Sequence, residues 1–201
     1  MKKPDGYDEA QASGEFTPVE LGGHYAVVKQ VSETQSSTGK DMIVVLFDFM
    51  DPDKQSGYFQ KIFNDDTRDP RKWPFNGSRY ILVADYNDPK KTSRNFKTFC
   101  TCIEKSNDYT IQWGGKNWAQ QFKGKKIGVV YGEEEHEYEG RVSMRHVPKW
   151  FCRWDAVKEA QTPAPKYLNG SGPARPTSSA PTTDENGFMS VPEGADDDIP
   201  F

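Results

Sequence analysis

Residues 41–50 read DMIVVLFDFM, the most apolar run of the chain. Its length and its β-branched and aromatic content, with the turn residues Asp51, Pro52 and Asp53 directly behind it, predict a buried β-strand. Just upstream, residues 24–32 (HYAVVKQVS) alternate apolar and polar side chains and predict a strand before it. The chain therefore begins its ordered part with two consecutive strands.

Three further segments have strand character. Residues 57–64 (GYFQKIFN), which follow the turn residues Asp51, Pro52 and Asp53, predict a third strand. Residues 126–132 (KIGVVYG) and 140–147 (GRVSMRHV) predict a fourth and a fifth strand, joined by the acidic hairpin EEEHEYE. The sequence thus predicts five strands.

A helix is predicted between the third and fourth strands. Within residues 93–105, Phe96, Phe99, Cys100 and Ile103 stand at i, i+3, i+4 and i+7, which is one face of a helix. Thr92 or Ser93 can cap its start. Residues 117–122 predict a short helical piece that ends at Gly124.

Three strands, a helical connection and two strands are the order of a mostly β, five-stranded Greek-key barrel of the OB type, with the helix between strands three and four. Other small α+β folds share this order. The expected domain covers residues 21–159. Residues 1–20 are expected to form an N-terminal arm, and residues 160–201, rich in Pro, Gly and Ser, a disordered linker with an acidic tip.

Composition narrows the class of protein. The chain has 201 residues and 34% hydrophobic content, and no run approaches the length that spans a membrane. The N-terminus has no apolar stretch typical of a secretory signal. Three cysteines without a C-x-x-C pair argue against a disulfide framework or a zinc site. A cytoplasmic location is therefore expected.

The charge is unevenly distributed. The net charge is −4, yet residues 21–160 carry 22 basic and 19 acidic side chains, while both ends of the chain are acidic. This asymmetry favours a nucleic-acid-binding domain with an acidic tail.

The predicted third strand carries a candidate binding face. In a strand, Phe59, Lys61 and Phe63 would share one side. Aromatic rings stack on bases and an ammonium group pairs with phosphates, so this face is suited to single-stranded nucleic acid. The alternative is that both phenylalanines lie in the core and that Lys61 extends to solvent.

Further candidates lie in the predicted loop TRDPRKWPFNGSRY, residues 67–80, and in the fifth strand. The loop interleaves cations and rings, although Trp73 could instead close one end of a barrel. In the fifth strand, Val142 and Met144 are expected to face inward and the basic side chains outward, where they contact phosphates or are merely solvated. The loop and strand candidates are Arg68, Arg71, Lys72, Trp73, Phe75, Arg79, Tyr80, Arg141 and Arg145.

Catalysis is not expected. Consecutive carboxylates could hold magnesium, but both clusters fall in predicted turns, where charge is usually solvated. No histidine has a partner at metal-ligand spacing, so neither a metal nor a cofactor is predicted. The carboxylates considered are Asp65, Asp66 and Asp69, and Glu133, Glu134, Glu135, Glu137 and Glu139 near His136.

The last six residues are Asp196, Asp197, Asp198, Ile199, Pro200 and Phe201. This DDDIPF segment, behind a Pro/Gly-rich stretch, resembles the acidic tip of bacterial single-stranded DNA-binding proteins. In that family an OB domain binds DNA, and the tip docks on helicases, nucleases, primase and recombination mediators. The arm, the GGHY entry and the GYFQKIF segment are similar to a divergent group encoded by phages and prophages of Gram-positive bacteria.

The resemblance implies a sequence-nonspecific single-stranded DNA-binding protein of replication, recombination and repair, which recruits enzymes through its tip. It would act in the cytoplasm, that of the bacterial host if the chain is phage-encoded. The alternative is an OB-fold adaptor that does not bind DNA and uses the tip to dock on replication proteins. Oligomeric state, including a homo-oligomer, stays open, as do the DNA site size and the preference for DNA over RNA.

Overall fold

Five antiparallel strands form one sheet in the computed structural model, which describes residues 2–3 and 17–168. The order across the sheet is β3-β2-β1-β4-β5. This confirms a mostly β chain with a helix between β3 and β4. The strands are β1 Gly22–Gln35, β2 Asp41–Phe49, β3 Ser78–Leu82, β4 Lys126–Tyr138 and β5 Arg141–Cys152; the helices are α1 Tyr58–Asp65 and α2 Arg94–Asn107, with 3₁₀ helices η1 Phe75–Gly77, η2 Trp118–Phe122 and η3 Trp154–Glu159.

The sheet is curled around a single core. Val45, Phe47 and Phe49 alternate along β2 and are fully or almost fully buried, as the period of a strand requires. β1 and β4 lie between β2 and β5 in the sheet, yet the rings of Phe47 and Phe151 are only 5.8 Å apart. The sheet must therefore bend until its ends face each other.

The predicted barrel is not closed by hydrogen bonds. β3 and β5 are the two edges of the sheet, and no strand ladder joins them in the described residues. A side chain spans this seam instead, since Nη1 of Arg79 on β3 donates to the carbonyl oxygen of Pro148 on β5 at 2.6 Å. The expected five-stranded OB-type barrel is therefore an open, curled sheet in the described residues.

Helix α2 confirms the sequence pattern. Its four predicted apolar positions, Phe96, Phe99, Cys100 and Ile103, are buried against the inner face of the sheet. The hydroxyl of Ser93 accepts a hydrogen bond from the backbone N–H of Phe96 at 3.4 Å, so it caps the first turn.

The prediction of a strand at residues 57–64 is wrong, because this segment forms α1. Phe59, Ile62 and Phe63 stand at helical spacing, but eight residues are too few to separate a helix from a strand by pattern alone. The carboxylate of Asp48, a buried side chain of β2, accepts hydrogen bonds from the N–H groups of Phe59 and Gln60 at 2.9 and 3.3 Å. The Asp48 carboxylate thus accepts hydrogen bonds from backbone N–H groups that have no partner within the first turn of α1. This long-range contact favours a helix over a strand.

The observed third strand is β3, which lies partly in the predicted loop. SRYIL pairs with β2 in the register Arg79 with Val45 and Ile81 with Ile43. The preceding Pro74 and Gly77 had indicated a loop, and they do shape η1. The predicted number of five strands is thus correct, whereas the predicted position of the third strand is wrong.

The end of the N-terminal arm is held to the domain. Val19 is buried, and the ring of His24 bonds to the carbonyl oxygen of Glu20 at 2.9 Å and to the carboxylate of Asp53 at 3.1 Å. Burial alone would raise the pKa of Asp53, but the hydrogen bonds from His24, Gln55 and Tyr25 outweigh it and lower that pKa.

Residues 160–168, the start of the predicted linker, run beside β4. Lys166 donates its N–H to the carbonyl oxygen of Glu133 at 3.1 Å and accepts from the N–H of Glu135 at 2.8 Å. Most of the predicted arm, the rest of the predicted linker and the tip from Asp196 to Phe201 lie outside the described residues.

The three cysteines are free thiols. Burial raises the pKa of Cys102 to about 12, and its thiol donates to the carbonyl oxygen of Phe151 at 3.7 Å. Burial likewise raises the pKa values of Cys100 and Cys152 to about 11. Among the helices of residues 17–168, none is both long and apolar enough to cross a membrane.

Candidate nucleic-acid interface

The outward face of β2 and β3 carries a partly exposed apolar strip, here called the sheet strip: Val44, Leu46, Tyr80 and Leu82. Val44 lies opposite Tyr80 in the β2–β3 ladder, and Leu82 lies opposite Met42. Tyr80 is 43% exposed, and the three aliphatic members are half-buried. The strip is therefore open to a flat ligand.

The other half of the outward face is covered. A Cβ atom at Gly23 of β1 would lie 2.2 Å from the carbonyl oxygen of Val157, and one at Gly128 of β4 would lie 2.6 Å from Cγ2 of the same residue. Glycine at both positions lets η3 pack directly on β1 and β4. The C-terminal part of the domain thus shields this half and leaves the sheet strip uncovered.

Phe75 stands beside the strip on η1, immediately before β3. Its ring is 60% exposed. Its backbone is fixed, since the hydroxyl of Ser78 donates to the Phe75 carbonyl oxygen at 2.7 Å. An exposed ring on a fixed backbone is suited to stacking against a base.

Trp73 has a structural position. Its ring is half-buried and packs 5.5 Å from that of Phe63, and its indole N–H donates to the carbonyl oxygen of Gly77 at 2.9 Å. A Cβ atom at Gly77 would come within 2.6 Å of the indole nitrogen. These contacts favour the alternative that Trp73 seals one end of the core.

The predicted aromatic-basic-aromatic face of Phe59, Lys61 and Phe63 does not exist. Successive residues of a helix are rotated by about 100°, so Phe59 and Phe63 share one side of α1 and Lys61 projects from another. Phe59 is only 1% exposed, and Phe63 is half-buried against Trp73. The core alternative is correct for Phe59.

The cations of the loop differ in their surroundings. Arg68 forms a two-pronged ion pair with Asp66 at 2.8 Å. The guanidinium hydrogen bonds, with backbone N–H groups of Lys72 and Arg68, hold the pKa of Asp66 well below its usual range. The side chains of Arg71 and Lys72 are exposed.

Arg79 does not lie on the sheet strip. It pairs with Val45 on the inward face, and its guanidinium reaches Pro148 across the seam. Its neighbour Tyr80 points outward, because side chains alternate along a strand. The two residues therefore have separate roles, although the sequence places them together.

The β4–β5 hairpin extends beyond β1 as a two-stranded ribbon. Arg141, opposite Tyr138, and Arg145, opposite Glu134, share one of its faces, as predicted. The opposite face is not core, since Val142 and Met144 are 57% and 40% exposed. The expectation that these two side chains point inward is wrong, because the ribbon has left the sheet at this point.

The sequence analysis missed one aromatic–cation pair beside the strip. Lys40, just before β2, places its ammonium 3.4 Å from the centroid of the Tyr86 ring and donates to the Tyr86 carbonyl oxygen at 3.0 Å. Tyr86 is 52% exposed. The N–H of Val83 bonds to the carbonyl oxygen of Asp41, which brings the two segments together, so long-range pairing creates a pair that local sequence could not reveal.

Within residues 17–168, no group of three or more His, Cys, Asp and Glu side chains could hold a metal ion. Four of the five glutamates of the predicted acidic hairpin lie in β4, and Glu139 lies in the turn that follows. Glu134 pairs with Lys149 at 2.7 Å, and Glu133 lies 3.6 Å from the ring of His146.

Comparison with protein-family models finds no match for this chain. A search of curated proteins also finds no significant match. The site is therefore interpreted from its own geometry. The structure brings Phe75 and Tyr80 to one edge of the sheet strip, with the Lys40–Tyr86 pair near the strip's other end.

Proposed function

We propose that this chain is a sequence-nonspecific single-stranded DNA-binding protein that acts in replication, recombination and repair. The observation that carries the proposal is the sheet strip with Phe75 beside it. Tyr80 and Phe75 are aromatic, largely exposed and held by regular backbone structure. A contiguous exposed apolar patch of this kind is typical of an interaction or ligand-binding site.

The fold supports the proposal. Five antiparallel strands with a helix between β3 and β4 fit an OB-type, partly open Greek-key barrel. Proteins of this type bind oligonucleotides on the strand 2–3 face and the flanking loops. Here the uncovered strip occupies the β2–β3 face, and the β4–β5 ribbon with Arg141 and Arg145 is the second flanking element.

The chemistry fits a flexible single strand better than a duplex. Every base offers a ring face for stacking, so aromatic platforms bind without a sequence preference. The exposed side chains of Arg71 and Lys72, and the half-buried Lys40, can pair with the phosphates beside them. The bases of a duplex are stacked on each other and cannot reach the two rings.

The DDDIPF segment supports the second part of the proposal, recruitment of partner enzymes. We assign Phe201 to an apolar pocket on the partner, and Asp196, Asp197 and Asp198 to basic side chains around that pocket. A phage or prophage origin and action in the bacterial cytoplasm follow from the same resemblance.

Replacing Phe75 or Tyr80 with alanine is expected to weaken binding of labelled oligo-dT by roughly 1–3 kcal/mol each, the range for loss of one stacking partner. Phe75→Tyr and Tyr80→Phe keep a ring and should bind like the parent chain. Fluorescence anisotropy measures the affinities, and circular dichroism verifies that the variants fold. If both alanine variants bind as tightly as the parent, the strip is not the DNA site.

A further inference from the structure

The segment from Pro89 to Lys126 is strongly basic. It holds nine Lys and Arg side chains against two carboxylates, Glu104 and Asp108, a net charge of +7. By contrast, residues 17–88 carry eight basic and eleven acidic side chains, and residues 127–168 carry six and seven. The positive charge of the domain is therefore concentrated in the segment that contains α2 and η2.

Two of these basic side chains lie on the solvent-facing side of α2. Arg94 and Lys97 are exposed, while the opposite side of the helix is buried in the core. Both line a shallow depression together with the hydroxyl-bearing Thr92, Thr98 and Thr101. Cations and hydroxyl groups side by side are the groups that contact phosphates.

Trp113 adds an exposed aromatic platform beside the first turn of α2, where its ring lies next to that of Phe96. It is 64% exposed, the most exposed of the tryptophans and phenylalanines with large solvent-facing area. Its ring stacks on Trp118 at 5.7 Å with an interplanar angle of 24°, and lies 6.2 Å from the ring of Phe96. The ring is thus supported from behind and open in front, and exposed Lys116 follows three residues later.

The chain connects this side directly to the sheet strip. β3 ends at Leu82, and Ala84 forms an isolated antiparallel bridge with Thr92. The N–H of Ser93 bonds to the carbonyl oxygen of Val83 at 3.0 Å, so α2 begins where β3 ends. A ligand that runs along the strip past Leu82 therefore arrives at Arg94.

We infer that Arg94, Lys97, Trp113 and Lys116, here called the helix-side surface, form a second contact surface for single-stranded nucleic acid. Strands longer than the sheet strip can cover would continue onto it. The inference rests on the proposed DNA binding and adds the path of the strand. An acidic peptide with an apolar anchor needs an enclosing pocket, whereas Trp113 projects as a flat ring, which suits a base.

The test compares labelled oligo-dT of about 10 and about 35 nucleotides, because one OB domain covers roughly 4–16 nucleotides. Trp113→Ala should leave binding of the short strand unchanged and weaken binding of the long strand by about five- to 150-fold. Trp113→Phe should restore most of the loss. Because Trp113 packs on Trp118 and Phe96, circular dichroism must first show that both variants fold.

A second variant removes the charges. Replacing Arg94, Lys97 and Lys116 with glutamine should lower the salt dependence of long-strand binding by about two in the log–log slope, at about 0.7 for each lost phosphate contact. The control replaces Lys54 and Lys158, exposed lysines outside α2 and η2, with glutamine. It should leave the binding of both strand lengths unchanged.

The outcomes separate the two proposals. If the parent chain binds neither strand, the proposed function fails. If it binds both, but the helix-side variants keep full affinity and slope for the long strand, the inference fails and the proposed function stands. A second experiment uses a chain that lacks its tip and a labelled peptide of the last nine residues. If the helix-side variants of that chain lose binding of the peptide and keep binding of the long strand, the inference also fails, because the surface then binds an acidic peptide.

Discussion

Replacing Phe59 with alanine is expected to destabilise the fold by about 3–5 kcal/mol, the cost of removing a buried phenylalanine. The ring is 1% exposed and packs edge-on against Phe47 at 6.0 Å and obliquely against Phe49 at 5.0 Å. It anchors α1 to β2, and its loss leaves a cavity beneath the helix that the neighbouring rings can fill only in part. Urea denaturation followed by circular dichroism measures the change.

The same helix offers a matched control. Lys61 is exposed, so Lys61→Ala should change stability by less than about 0.5 kcal/mol. Folded Phe59→Ala protein, normalised for its folded fraction, should bind oligo-dT like the parent chain. If Phe59→Ala remains as stable as the parent but loses DNA binding, the ring is a stacking platform and its assignment to the core is wrong.

Removal of Phe201 is expected to abolish recruitment of an enzyme that carries a pocket for the acidic tip, without changing affinity for single-stranded DNA. Burial of one large apolar side chain contributes roughly 1.5–3 kcal/mol, a large share of the ~8 kcal/mol of a micromolar contact. The carboxylates of Asp196, Asp197 and Asp198 alone would leave a weak, salt-sensitive attraction.

Pull-down of host replication proteins by the intact chain and by the chain ending at Pro200 measures this effect. Tyr80→Ala is the reciprocal control, since it should lose DNA affinity and keep the partners. If both chains retrieve the same partners, the DDDIPF segment does not dock as proposed.

The sequence predicted the elements whose pattern has one interpretation. α2 shows four apolar residues at helical spacing behind the capping Ser93, and the structure buries all four. β1 and β2 were equally clear, because β1 alternates apolar and polar side chains and β2 is a long apolar run followed by turn residues. In these segments local propensity and burial agree, so local reasoning is sufficient.

The sequence predicted a strand where the structure has α1, and this error has a physical cause. GYFQKIFN is too short for its pattern to separate a helix from a strand. The choice depends on the buried carboxylate of Asp48, which bonds to the N–H groups of Phe59 and Gln60. The true third strand, SRYIL, is short and follows proline and glycine, so its pairing with β2 determines it. Neither contact can be derived from the local sequence.

The candidate site was predictable only where its residues form a local pattern in the sequence. Phe75 and Tyr80 were identified because rings and cations alternate in their segment, and both are exposed. Lys40 and Tyr86 were missed, since a separation of 46 residues hides their contact. The clustering of charge around Trp113 is visible in the sequence, but its meaning depends on knowing which side of α2 is buried.

Binding of one labelled oligo-dT, compared with a duplex of the same length over a range of salt concentrations, tests the central claim most directly. The account predicts clear preference for the single strand and affinity that falls with salt at a slope of about 0.7 for each phosphate contact. Equal affinity for duplex and single strand, or no binding to either, would contradict it.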